Sequence, residues 1–330
     1  MTHQPDLPRD IKQLKLLGFS DKPDTVLPTL SERFPALEVA TCTDFDGLPQ
    51  AIDREQPNVL LSYKFRRTPF PRAAVVESAS VRWVHNSGIG IDHYIPWDPK
   101  KVAITISKGN QGEVMGQYTL CRMLMFAMKV PTMMRHQRTH HWERIGQTVL
   151  TSRTHVIVGF GMIGREMARL SKAFGMRVVG VSRSGAPDRH ADVVYGVGQL
   201  REALAEGDFV TIVLPLTEAT RGLFDRSCFE AMKPGAFLIN VGRGKIVDEA
   251  PMIDSLRSGR LAGAALDVFE KEPLPEDHEL WDMENVLVSS HNSAAVEGWQ
   301  SRGLIQFCIN LERWLGGESL EFVVDPTKGY

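Results

Sequence analysis

A chain of 330 residues is long enough for two domains of ordinary size, each with its own core, and 43% hydrophobic with 24% charged residues is an ordinary soluble mixture. The formal net charge of -2 supplies no field for nucleic acid or an anionic membrane surface, so neither is expected as a partner. Four scattered cysteines, Cys42, Cys121, Cys228 and Cys308, form no Cys-x-x-Cys pair, which argues against a disulfide framework and suits a reducing compartment. The first residues lack the basic start and apolar core of a signal peptide, and the longest apolar run, Met123 to Met128, is too short to span a bilayer. A cytoplasmic location is the resulting expectation.

Residues 11 to 112 alternate strand-like and helix-like pieces. Strands are expected at Leu14–Phe19, Glu38–Cys42, Val59–Ser62, Val81–Asn86 and Val102–Ile106, with helix or turn segments such as Leu27–Ala36 and Pro71–Ser78 between them. Such alternation predicts a parallel sheet covered on both faces, and five strands fit a flavodoxin-like domain. Ligands of these sheets sit beyond the carboxyl ends of the strands. Those ends are the loops at Tyr63–Arg66, Ser87–Gly90 and Lys108–Asn110. Gly88 and Gly90 would let backbone N–H groups face an anion; a plain strand-to-loop turn is the other reading.

Glu113 to Trp142 reads as a long helix interrupted at Pro131, apolar over more than one stripe, linking two domains. His136, His140 and His141 lie on its second half. Helical histidines four apart can bind zinc, but no Glu stands between them in the metalloprotease pattern, and the reading is a solvated helix face with no metal.

The strand His155–Val158 then runs into Gly159-Phe160-Gly161-Met162-Ile163-Gly164, a helical pattern follows, and a second strand ends near Val181. Strand, Gly-x-Gly-x-x-Gly, helix, strand is the dinucleotide-binding unit. The first glycine allows the tight turn, the second lets the backbone approach a pyrophosphate, and the third lets helix and strand pack closely; the helix N-terminus offers free N–H groups to phosphate. An NAD site commonly has a carboxylate about twenty residues on, for the ribose 2′-hydroxyl. Here Ser182-Arg183-Ser184 stands in its place. A guanidinium between two hydroxyls would hold a 2′-phosphate that a carboxylate would repel, so NADP(H) is expected over NAD(H).

After Ser184 the alternation resumes. Strands are expected at Val193–Val194, Phe209–Leu214, Ala236–Val241, Gly263–Leu266 and Val286–Ser289, and helices at Gly198–Ala205, Asp225–Met232 and Glu249–Ser258. A final amphipathic helix, about Val296 to Leu315, would return to the first domain. The expected fold is thus α/β with two Rossmann-like doubly wound domains. Residues 1–112 with 296–330 form the flavodoxin-like substrate domain, and 113–295 the dinucleotide-binding domain.

Three polar residues stand at expected strand ends: Arg243 after Asn240-Val241-Gly242, Glu272 in the stretch from Leu266 to Pro275, and His291 after Val286–Ser290. Each alone has a bland reading as a surface or loop residue. Together with the fingerprint they resemble the D-isomer-specific 2-hydroxyacid dehydrogenase family, over nearly the whole chain and most strongly from Val156 to Ala295. The segments Leu214 to Gly222, Asn240 to Gly244 and Leu266 to Pro275 carry that likeness, and Ser182-Arg183-Ser184 is similar to the NADPH-using glyoxylate/hydroxypyruvate reductase branch.

The resemblance implies that Arg243, Glu272 and His291 are catalytic. Arg243 would grip the carboxylate of a 2-oxo acid, with backbone groups at Gly88 and Ile89. His291, as imidazolium paired with Glu272, would protonate the ketone oxygen as hydride arrives on carbon. It further implies cofactor contacts at Met162, Ile163, Leu214, Pro215, Thr220, Val241, Gly242, Arg243, Asp267 and His291 besides the three fingerprint glycines, and a homodimer. Tyr63, Phe65, Arg66 and Trp281 are candidates for the substrate pocket. Two places depart from the family pattern: Gly116-Gln117 where an Ala-Glu pair is usual, and Asn292-Ser293 after the histidine. A formate dehydrogenase-like enzyme would pair its histidine with Gln, which Glu272 argues against. A non-catalytic NAD(P)-sensing protein on the same fold and a dehydrogenase for a bulkier 2-oxo acid are the alternatives.

Overall fold

Five short, mostly apolar runs form the strands of the first unit: β1 (Lys15–Phe19), β2 (Glu38–Cys42), β3 (Val59–Ser62), β4 (Trp83–Asn86) and β5 (Ala103–Ile106). The structure is a computed structural model that describes residues 3–63, 70–109 and 111–326, without the side chains of residues 299 and 300. All neighbours in this sheet are parallel, in the order β2-β1-β3-β4-β5, the flavodoxin-like order. The helices α1 (Leu27–Arg33), α2 (Leu48–Glu55) and α3 (Arg72–Val76) lie between strands. Residues alternate between two cores, as strand geometry requires. Leu16, Val59, Leu61 and Trp83 face one core; Leu17, Phe19, Leu60 and Val84 face the other.

The second unit begins at Gln111, two residues before the boundary expected from the sequence, because its first helix, α4 (Gly112–Ala127), starts at Gly112. The interruption expected at Pro131 falls at Met128–Lys129, and two helices result. Lys129 takes a left-handed φ of 55°, and α5 (Val130–Arg138) restarts with Pro131 in its first turn, where a missing N–H costs nothing. His140, His141 and Trp142 lie beyond that helix. Within α4 only Glu113, Gln117 and Cys121 are exposed; Met115, Gly116, Thr119, Met123, Phe126 and Ala127 are buried, and Tyr118, Leu120 and Leu124 pack beside them, the wide burial expected of its apolar positions.

Seven strands follow: β6 (Thr154–Val158), β7 (Arg177–Ser182), β8 (Val193–Gly196), β9 (Phe209–Ile212), β10 (Ala236–Asn240), β11 (Leu261–Leu266) and β12 (Val286–Val288). Their order is β12-β11-β10-β9-β6-β7-β8, all parallel. The chain reverses its direction of winding between β6 and β9. In such sheets that is where ligands bind, outside the carboxyl ends of the strands. The helices α6 (Met162–Ala173), α7 (Leu200–Leu204), α8 (Arg226–Ala231) and α9 (Glu249–Arg257) connect them. The last helix, α10 (Trp299–Leu315), belongs to the first unit, where Leu304, Phe307, Cys308, Leu311 and Trp314 pack on the core with Trp83 and Leu61. Among the described residues no helix is long and apolar enough to cross a membrane.

Candidate active site

The glycine fingerprint sits at the switch point, between the end of β6 and the start of α6. Gly159 has φ 111°, and a Cβ there would lie 2.5 Å from the carbonyl oxygen of Val213, so only glycine fits. At Gly164 a Cβ would meet the Gly159 carbonyl oxygen at 2.5 Å, which is the close helix–strand approach. Gly161 differs: a Cβ there would meet nothing within 4 Å. Packing within the protein does not demand a glycine at that point, whereas an approaching pyrophosphate would. Gly161 is also the N-cap of α6 and brings no side chain to its first-turn N–H groups, leaving them to an anion. These residues fit a dinucleotide. Met162 and Ile163 form the first turn of the same helix.

At the end of β7, Ser182 Oγ accepts from Gly185 N at 3.1 Å and Ser184 Oγ from Ala186 N at 3.3 Å. The two hydroxyls shape the turn that presents the exposed Arg183. Beyond β9, Leu214 and Pro215 lead a loop pinned by Thr220, whose Oγ1 donates to Pro215 O at 2.7 Å and accepts from Thr217 N at 2.8 Å. The Thr220 hydroxyl thus ties this loop together. Gly242 packs against this loop, since a Cβ on it would lie 2.8 Å from Leu214 O. Val241 beside it is buried.

Arg243 and Glu272 come from separate strand ends that touch through Gly244. A Cβ on Gly244 would lie 1.9 Å from the carbonyl carbon and oxygen of Phe269, so the loop after β10 lies directly on the loop after β11. Arg243 Nη1 donates to Gly242 O at 2.8 Å. Glu272 Oε1 accepts from Phe269 N at 3.2 Å, and its Oε2 accepts from His291 Nδ1 at 2.7 Å. Pinned at Nδ1, the imidazole keeps Nε2 for another partner. The pair is about one-third exposed, at 27% for His291 and 36% for Glu272, so a small substrate can reach it.

His291 itself has φ 50°, unusual for a residue with a side chain. The cause lies beneath it in Asp267, fully buried at the end of β11. Asp267 Oδ1 accepts from Ser289 Oγ and Asn292 N, both at 2.8 Å, and Oδ2 from Ser293 N at 2.9 Å. Its backbone oxygen accepts from His291 N at 2.8 Å. Tyr118 on α4 extends the chain through a hydrogen bond between its hydroxyl and Ser289 Oγ. Burial raises the Tyr118 pKa, so the phenol stays protonated. Asp267 is therefore a support of the histidine loop. Sequence reasoning missed Tyr118, Ser289 and Asn240, whose Oδ1 accepts from Gly242 N at 3.1 Å; polar residues at strand ends were the available signal.

The two departures from the family pattern have physical accounts. Asn292 and Ser293 serve through their backbone amides, which any residue but proline supplies. At Gly116 a Cβ would meet Leu170 Cδ1 at 2.8 Å, so glycine lets α4 lie close on α6, and Gln117 is exposed. The first unit carries Gly88 and Ile89 at the end of β4. There Asn86 Nδ2 donates to the carbonyl oxygens of Gly88 (2.9 Å) and Gly90 (3.1 Å). Tyr63 is fully buried beside Trp83 in the core under α10, which rules it out as a pocket wall. Trp281 is exposed, its Nε1 bound to Pro275 O at 2.8 Å. Phe65, Arg66 and Asn110 lie outside the described residues.

A Gly-x-Gly-x-x-Gly turn at a Rossmann switch point beside an Arg, Glu and His at neighbouring strand ends defines an NAD(P)-dependent oxidoreductase of two α/β units. The description of the D-isomer specific 2-hydroxyacid dehydrogenase NAD binding domain matches residues 120–293, and the chain belongs to this family. A solved D-isomer specific 2-hydroxyacid dehydrogenase family protein from Aeromonas salmonicida is 31% identical with a TM-score of 0.84, over 95% of this chain and 99% of that one. An NADPH-dependent glyoxylate/hydroxypyruvate reductase from Sinorhizobium meliloti, solved with NADP and sulfate, is 27% identical with a TM-score of 0.83, over 96% of this chain and all of that one, 100%. The D-3-phosphoglycerate dehydrogenase of Rattus norvegicus is 35% identical over 260 residues, 77% of this chain, but the match spans only 48% of that protein.

Proposed function

We propose that the protein reduces a small 2-oxo acid of the glyoxylate or hydroxypyruvate type with NADPH, giving the 2-hydroxy acid. The observation that carries the proposal is the 2.7 Å bond from His291 Nδ1 to Glu272, at the carboxyl end of a dinucleotide-binding sheet. The fingerprint turn and the free first turn of α6 would hold the pyrophosphate. Arg183 would hold a 2′-phosphate, a role favoured by the absence of a carboxylate from Ser182-Arg183-Ser184. Nicotinamide, when bound, supplies the hydride.

Arg243 binds the substrate carboxylate with its planar fork and orients the ketone. His291, protonated, gives the Nε2 proton to the ketone oxygen as negative charge develops there. Glu272 fixes the ring and stabilises the imidazolium. The same groups run in reverse would oxidise a 2-hydroxy acid, and the likeness to a phosphoglycerate dehydrogenase makes that direction the second reading. His291→Ala tests the assignment. NADPH should still bind, and kcat should fall by a factor on the order of 100 to 10,000, the range for general acid catalysis. Near-normal turnover of 2-oxo acid by this variant would defeat the acid role.

A further inference from the structure

The segment that closes α5 brings together three metal-binding side chains that the reductase chemistry does not use. α5 ends at Arg138, and the chain turns back through His140, whose φ is 53°. His140 N donates to Gln137 O at 3.3 Å and His141 N donates to His136 O at 2.9 Å. These two bonds make a Schellman cap, which sets the residues at either end of its longer bond side by side. In many helices that contact is hydrophobic; here both residues are histidines. Their rings meet edge to face with centroids 4.6 Å apart. Glu143 completes the group: its Oε2 lies 3.2 Å from His141 Nε2 and 3.8 Å from His136 Nε2.

From this juxtaposition we infer a binding site for a divalent transition-metal ion of the zinc type, with His136, His141 and Glu143 as its protein ligands. The metric test is simple. Ligands about 2.0–2.1 Å from a tetrahedral zinc stand about 3.4 Å from one another. The ligand atoms of this group all lie within 4.8 Å of one another, and the two distances to Glu143 bracket the ideal. Small side-chain adjustments suffice, since His141 and Glu143 are exposed. Two imidazoles and one carboxylate suit zinc, cobalt, nickel or copper and not magnesium or calcium, which prefer oxygen ligands alone. Three protein ligands leave a position for water or another donor. The spacing is invisible to a search for helical i, i+4 pairs, because the partners are five apart across a helix cap. Arg135, the residue before His136, is drawn aside to Glu284 at 3.4 Å.

The test is calorimetric titration of the full chain with zinc chloride in a non-chelating buffer. One zinc ion should bind this group per chain, and magnesium chloride should give no signal. His136→Ala and Glu143→Gln should each weaken zinc binding by at least about 10–100-fold, the cost of removing even an outer partner of a metal ligand. His140→Asn, which keeps a residue tolerant of the left-handed turn, and His291→Ala should leave it unchanged, which separates this group from its neighbour and from the reductase site. Absence of zinc binding by the wild-type chain, or affinity unchanged in both His136→Ala and Glu143→Gln, would overturn the assignment.

Discussion

Replacing Asp267 by Asn alters one atom of a side chain that is fully buried and accepts three hydrogen bonds, two on Oδ1 and one on Oδ2. An amide has one acceptor atom. Whichever way it is turned, its NH2 group faces a backbone N–H, of Ser293 in one orientation and of Asn292 in the other. Leaving a buried donor unpaired costs about 1–3 kcal/mol. Against this stands the left-handed backbone of His291, which by itself costs on the order of 1–3 kcal/mol. The two terms are of one size, so the substitution removes about what holds the histidine in place. At about 1.4 kcal/mol per factor of ten, the fraction of molecules with His291 on Glu272 should fall about tenfold to a hundredfold. Steady-state NADPH oxidation with a 2-oxo acid should show kcat reduced by that factor and the KM for NADPH little changed. Thermal unfolding should fall by about 2–4 °C per kcal/mol lost. Full kcat in Asp267→Asn, whatever its melting temperature, would refute the view that Asp267 positions the catalytic histidine.

Gly161→Ala should leave melting unchanged, because the new Cβ meets no protein atom within 4 Å, yet it should raise the KM for NADPH by obstructing the pyrophosphate; Gly159→Ala, which would strike the Val213 carbonyl at 2.5 Å, should lower the melting temperature before any nucleotide is added. Arg183→Asp should raise the KM for NADPH at least about tenfold, the worth of a charge-assisted hydrogen bond of roughly 1.5–3 kcal/mol, and shift preference toward NADH; unchanged NADPH kinetics would remove Arg183 from the site. Acid sensitivity follows from His155, which is fully buried between Ser171 and Thr211 and whose pKa burial pushes down from 6.5 to about 3. The unfolded chain takes up a proton below its ordinary value while the folded chain does not, so this contribution to stability is complete above pH 6.5 and lost on acidification at up to about 1.4 kcal/mol per pH unit. Urea unfolding between neutral and mildly acidic pH measures the slope, and His155→Gln should lower it by this share, leaving that of the equally buried His85.

The repeating rhythm of apolar runs made both parallel sheets legible, because a strand covered on both faces is buried throughout, as β3 and β6 are, and so is mostly apolar. The glycine fingerprint was legible for a similar reason: two of its members are dictated by backbone contacts that no side chain could share. What escaped was decided by contacts between distant parts of the chain. Thr220 reads as one hydroxyl in a loop, and only the fold shows that its hydroxyl serves Pro215. Tyr63 follows β3 like a pocket residue, but α10 arrives from the far end of the sequence to bury it. For Asp267 the resemblance implied a place near the cofactor or the Glu272–His291 pair, but its use of the backbone amides of Asn292 and Ser293 leaves no trace in their side chains. The cap of α5 was misread because a left-handed histidine ended the helix where no glycine signalled it.

The most direct measurement is the initial rate of nucleotide oxidation, NADPH beside NADH, with glyoxylate, hydroxypyruvate and a bulkier acid such as phenylpyruvate. The account predicts the highest kcat/KM with NADPH and one of the two small acids. Binding of NADPH without turnover of any of these acids would contradict it and favour a nucleotide-sensing role, and a clear preference for NADH would overturn the reading of Ser182-Arg183-Ser184.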